Sequence, residues 1–178
     1  MAELTYAGCM LAALDGCRYV KQMMTTGASN SLSKAMDRGL INQVAAILKV
    51  STARSEAETT ITLRNIKNWD TNRTMQVWAE KAKKYGAGNC GEQSALAFYY
   101  LRSKGVGPLD WARFTNRDHA FILINRPKSL KGDDLRGALD RVFLCDPYYD
   151  KKGPLSQFPD YNVQFIESIL HCEDGVTL

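Results

Sequence analysis

In the stretch GAGNCGEQSALAFYYL, residues 86–101, Cys90 stands at the head of an amphipathic run with glycines close on either side. A cysteine at a helix N-terminus feels the positive end of the helix dipole and the unsatisfied N–H groups of the first turn, and both favour thiolate over thiol. Gly86 and Gly88 permit a tight approach turn, and Gly91 leaves the sulfur uncrowded for a substrate carbonyl. The backbone N–H groups there, chiefly that of Cys90, point to where an oxyanion would develop. The implied chemistry is nucleophilic attack on an acyl group, which needs a base and a group to orient that base. His119 opens the apolar run HAFILIN, and Asp146 closes RVFLCD, where Pro147 holds it extended. An aspartate at the end of one strand is placed to accept from an imidazole N–H on its neighbour. Taken singly, the three have ordinary readings as a buried thiol, a rim histidine and a strand-end aspartate. Separations of 29 and 27 residues, each fitting one excursion between adjacent elements, join them as nucleophile, base and orienting carboxylate.

The elements that must position them follow from periodicity. Residues 3–24 carry Leu4, Cys9, Leu11, Leu14 and Val20 at helical spacing, and TTGASNS reads as a loop. Ser31 or Ser33 caps a second helix running through Leu48, with Leu40, Val44, Ile47 and Leu48 on its buried face. Residues 51–68 are less legible. A third helix starts at Thr71, buries Met75, Trp78, Ala79 and Ala82, and stops at Gly86. The Cys90 helix runs to about Lys104 before Gly105, with Ser94, Ala97, Phe98 and Leu101 sharing the face of the sulfur. WARFT, HAFILIN and RVFLCD read as strands, the polar insertion between the last two as a hairpin loop holding a short helix. KKGPLSQFP reads as a connecting loop, and YNVQFIESILHC returns to helical spacing. The expected layout is α+β in a single catalytic domain spanning 1–178: 1–85 mostly helical, 86–149 the Cys-His-Asp core, 150–178 a C-terminal loop and helix.

Composition excludes several classes. Hydrophobic residues at 45% and charged ones at 24% describe a folded globular chain. The net charge of +4 is spread along the sequence, unlike the concentrated basic face of a nucleic-acid binder. The cluster Lys81, Lys83, Lys84 reads as a solvated helix face, with a surface for an acidic partner as the sharper alternative. Five cysteines lack the spacing of a disulfide framework or zinc site, so reduced thiols are expected, with Cys9, Cys17 and Cys172 buried on apolar helical faces. No phosphate loop, calcium loop or zinc spacing calls for a cofactor or metal. The N-terminus does not read as a Sec signal or a membrane span, so the expected setting is a reducing cytosol or delivery by a dedicated export machine into a target cell.

The segments GNCGEQSALAFYYLRSKGV, DHAFILI and VFLCDPYY together resemble the transglutaminase-like branch of the papain-like cysteine enzymes, over residues 86–149. The resemblance implies a central helix headed by the nucleophile, packed on an antiparallel sheet carrying histidine and aspartate. It implies Cys90 as nucleophile, His119 as general base and acid, and Asp146 as orienting residue. Lys84 stands where the papain pattern has a glutamine six residues before the cysteine, so a second oxyanion donor is sought among Asn89 and Gln93. Trp111 and Trp78 are expected in the core, with shielding of the site as the alternative, and Asp118 on the opposite side of the strand from His119.

Members of that superfamily include transglutaminases, peptidases, peptide N-glycanases and small bacterial toxins that deamidate glutamine. The leading expectation is a bacterial effector or toxin that deamidates or proteolyses a protein substrate through a thioester. Its partner would be a host or rival-cell protein, without nucleic acid or stable membrane insertion. One alternative is an NlpC-like peptidoglycan amidase. Another is a non-enzymatic binding module.

Overall fold

A computed structural model describes residues 4–26, 40–64, 66, 70–128 and 133–173. Helix α1 (Tyr6–Met23) begins where the Thr5 hydroxyl accepts from the Gly8 N–H at 3.1 Å. Its buried face is Cys9, Ala12, Ala13, Gly16, Cys17 and Val20, whereas Leu11 is exposed. Small residues let α1 lie close on the sheet: a Cβ on Gly16 would sit 2.9 Å from the Cys145 sulfur. The Cys17 and Cys145 sulfurs touch at 3.7 Å, so the buried reading of Cys17 and of Cys9 stands.

Helix α2 (Leu40–Leu63) continues well past the expected end at Leu48. Its buried residues are Ala46, Val50, Ala53 and Ala57, while Val44, Ile47 and Leu48 are 48–62% exposed. Side-chain size misleads here, because the partner α3 (Thr71–Tyr85) approaches along the stripe of small residues and leaves the larger ones outside. The proposed caps Ser31 and Ser33 lie outside the described residues. The lysine cluster is not merely solvated: Tyr85, Lys84 and Lys81 all hydrogen-bond to Glu56 of α2, lowering its pKa to about 2. Arg64, just past the end of α2, adds a further ion pair to Glu80 of α3 at 3.5 Å.

Asp70 caps α3, and Gly86 ends it in the left-handed conformation at φ 60°, as the glycine predicts. Helix α4 (Cys90–Ser103) is buried around most of its circumference, including Ser94, Ala97, Phe98 and Leu101, which makes it an embedded element.

The sheet is antiparallel throughout, in the order β4-β3-β2-β1-β5, from strands β1 (Leu109–Phe114), β2 (Ala120–Ile124), β3 (Phe143–Asp146), β4 (Lys151–Pro154) and β5 (Ile166–Cys172). Residues 150–173 therefore correct the sequence reading: KKGP is a strand rather than a loop, and IESILHC is a strand rather than a helix. Cys172 accordingly lies half-buried on β5, not on a helical face. A register shift pairs Trp111 with Leu170 but Ala112 with Ser168, leaving Ile169 over. That bulge breaks the two-residue alternation by which a strand shows itself in sequence. The strand is fastened to β1 by buried Asp110, which accepts from Ser168, His171 and Arg126. The polar insertion holds one helical turn, Asp133–Arg136, as expected.

Both faces of the sheet are covered. Trp111, Ile122, Ile124, Phe143 and Cys145 face α1 and α4, while Ala112, Phe114, Phe121, Leu123 and Leu144 face a second layer containing Leu135, Val142, Leu155 and Tyr161. Strand parity puts His119 with Phe121, and Asp146 with Leu144, so both belong to the second face at one end of the sheet. The architecture is α+β, four long helices with a five-stranded antiparallel sheet among the described residues. No helix among them is long and apolar enough to cross a membrane.

Candidate active site

Cys90 is the first residue of α4 and 8% exposed. The turn before it is fixed by reciprocal capping: Asn89 is the N-cap, and the Glu92 carboxylate accepts the Asn89 N–H at 3.0 Å. Gln93 donates its side-chain N–H to the Gly88 carbonyl at 2.7 Å. A Cβ on Gly88 would lie 2.7 Å from that of Glu92, so this turn requires glycine. Next to the sulfur, a Cβ on Gly91 would meet nothing within 4 Å, the open space that attack on a carbonyl needs.

His119 closes the β1–β2 connection, where its carbonyl accepts the Phe114 N–H, and is 5% exposed. Aromatic rings of Phe114, Phe121 and Tyr149 surround the imidazole at centroid distances of 4.8–6.2 Å. Its Nε2 lies 2.5 Å from Asp146 Oδ2, and the Cys90 sulfur is near enough to the same ring to act on its pKa. With Nε2 engaged, Nδ1 is the nitrogen left to face the sulfur. Asp146 is fully buried. Its Oδ1 accepts the backbone N–H groups of Tyr148 and Tyr149 at 3.0 and 3.2 Å, and its Oδ2 also accepts the Tyr161 hydroxyl. The three side chains singled out from spacing are thus brought together: His119 is bonded to Asp146 and shares one cavity with Cys90.

Comparisons with protein-family models, curated proteins and solved structures return no match.

Burial works against a charge on His119, but its hydrogen bonds to Asp146 and Cys90 outweigh that penalty and raise its pKa from 6.5 to about 9. Through neutral pH the imidazole is held protonated against the sulfur. Because the folded pKa exceeds the unfolded value, the stability this proton contributes is complete below about pH 6.5 and is lost as pH rises through about 9. The chain has only two histidines, so NMR of imidazole-labelled protein reads this directly. One ring should titrate near pH 9, and that resonance should vanish in His119→Gln; a His119 titration below pH 7 would contradict the ion-paired geometry.

Tyr161 was not legible in the sequence as a site residue. Burial, followed by its contacts with Asp146, raises its pKa well beyond the ordinary tyrosine value, so it remains a proton donor to the carboxylate. Of the expected oxyanion donors, Asn89 remains in the wall beside Cys90, whereas Gln93 is turned back to Gly88 and lies outside that wall. Trp111 packs in the core, donates its indole N–H to Ser94 at 2.7 Å and also lines the site. Trp78 meets it edge to face and lines the site too. Asp118, in the turn before β2, lines the same cavity as His119.

Cys90 and His119 open into a cavity of about 840 Å³, enough for a side chain with part of its flanking polypeptide. Helix α2 supplies one wall through Arg54, Glu58 and Ile61, and β1 supplies another through Arg113. Among the described residues no three His, Cys, Asp or Glu side chains are grouped to hold a metal ion.

Proposed function

We propose that the chain is a thiol-dependent amide hydrolase or acyltransferase, with the transglutaminase-like variant of the papain-like arrangement, acting on a protein substrate. The observation that supports this reading is the convergence of Cys90, His119 and Asp146, with the sulfur and imidazole on one open cavity and the carboxylate bonded to the imidazole and buried. The Cys90 sulfur attacks the carbonyl carbon of a glutamine carboxamide or a peptide bond, and the C–O electron pair moves onto oxygen. The free N–H at the very head of α4, chiefly that of Cys90, would donate to that oxygen. His119 gives its proton to the departing ammonia or amine as the C–N bond breaks, leaving a thioester. Water, or a second amine, then attacks with His119 taking its proton, and the sulfur leaves. Deamidation of glutamine or limited proteolysis by an effector or toxin fits this chemistry best.

Intact-mass spectrometry of casein and of candidate target proteins, after exposure to wild type and to Cys90→Ala, tests the reading. A Cys90-dependent gain of about 1 Da per event identifies deamidation, fragments identify proteolysis and cross-linked species identify transfer. Product from peptidoglycan fragments instead would shift the assignment to a cell-wall amidase. If neither class changes and Cys90 reacts with iodoacetamide no faster than an unactivated thiol, the enzyme reading fails.

A further inference from the structure

The wall that α2 contributes includes one contact aimed at the head of the cysteine helix. Arg54 places Nε 2.5 Å from Glu92 Oε1 and Nη2 3.2 Å from Oε2, the two-pronged geometry that suits guanidinium and carboxylate. Glu92 is only 7% exposed and stands two residues beyond Cys90. Its Oε2 also receives the Asn89 N–H, so one carboxylate both caps the helix and carries a negative charge beside the nucleophile. Left without a counter-ion, a buried carboxylate in this place would oppose negative charge on the sulfur.

We propose that Arg54 is a positioning residue for Cys90: by neutralising Glu92 it keeps the cap that shapes the Cys90 turn while cancelling the charge that would suppress the thiolate. This deepens the reading of Cys90 as nucleophile and rests on it. The charged or titratable groups around the sulfur include His119 and Asp118 from the β1–β2 turn, Tyr148 after β3, Glu92 on its own helix, and Arg54, and the same cavity is lined further out by Glu58 of α2, Arg113 of β1, Arg117 of the β1–β2 turn and Glu167 of β5. Arg54 is the cation on the helical side, within electrostatic range of both Cys90 and Asp118. Docking of α2 does not depend on it alone, because Glu56 and Arg64 tie the same helix to α3.

The test is the rate at which iodoacetamide alkylates Cys90 between pH 5 and 9, followed by peptide-resolved mass spectrometry in the full chain, with thermal melting to confirm folding. In Arg54→Met the rate at pH 7 falls about five- to tenfold and the profile moves to higher pH, since one pKa unit is a factor of ten. Glu92→Gln, whose amide oxygen still accepts from the Asn89 N–H, is no slower than wild type. Arg54→Met combined with Glu92→Gln returns to within about twofold of wild type, both charges being gone. A wild-type profile in Arg54→Met overturns the proposal. A double variant as slow as Arg54→Met also overturns it, because Arg54 would then serve only as a mechanical tie. Should Arg54→Met fail to fold, Glu92→Gln decides alone, and slowing there is the overturning result. A wild-type Cys90 no faster than a free thiol counts against the catalytic reading; the role of Arg54 is read from the ratios between variants, which separate the two failures.

Discussion

Replacing His119 with alanine lowers turnover of a Cys90-dependent substrate by about 10²–10⁴-fold at pH 7, with KM close to wild type, because the residue moves protons rather than binds the substrate. Two functions are lost together. The protonated ring no longer faces the sulfur, and the departing amine has no acid to collect its proton from. The loss should therefore be steepest for substrates with poorly leaving amines. In wild type, the rate should decline on the alkaline side near pH 9 as His119 gives up its proton. His119→Ala should retain only a shallow dependence there. The measurement is steady-state ammonia or peptide release from a substrate identified by mass. A variant that kept more than about a tenth of wild-type turnover would remove His119 from the chemistry.

Asp146→Ala destabilises the fold by about 3–5 kcal/mol, the range for removing one partner of a buried ion pair. The reason lies in what is left behind. His119 Nε2, the Tyr161 hydroxyl and the N–H groups of Tyr148 and Tyr149 all converge on this carboxylate in a fully buried position, and alanine abandons every one of them. Tyr161→Phe removes a single donor to a charged acceptor and should cost about 1.5–3 kcal/mol. Urea denaturation of both variants at pH 7 tests the ordering. A cost for Asp146→Ala no larger than that for Tyr161→Phe would show that the four contacts do not act as one buried unit.

The parts of the molecule readable from sequence are those whose signals are local. Gly86 and Gly105 stop helices because each sits at positive φ. The head of α4 is marked by Gly88, Asn89 and Glu92, residues that satisfy their own backbone within one turn. HAFILIN and RVFLCD announce strands by composition, and their order is enough to bring His119 to Asp146. What was hidden depends on a partner far along the chain. The inner face of α2 is set by how closely α3 can approach, so alanines are buried and Ile47 and Leu48 are not. Strand β5 is decided by the otherwise unpaired side of β1, and its bulge erases the alternation that would have revealed it. Tyr161 carries no local mark at all. It gains its role only when the segment after β4 folds back over the second face of the sheet and delivers a hydroxyl to Asp146.

The sealing of Asp146 has a bearing on how hydrolysis and transfer would be sorted in the proposed cycle. Its oxygens are saturated by donors that cannot leave, so the imidazole is pinned along one edge and can trade protons only along the other. That other edge belongs to the cavity that Cys90 and His119 line, so in the proposed cycle this chamber serves as the doorway for both halves. Whichever molecule comes through that doorway as the first product departs, water or an amine, decides whether the acyl group is released or passed on.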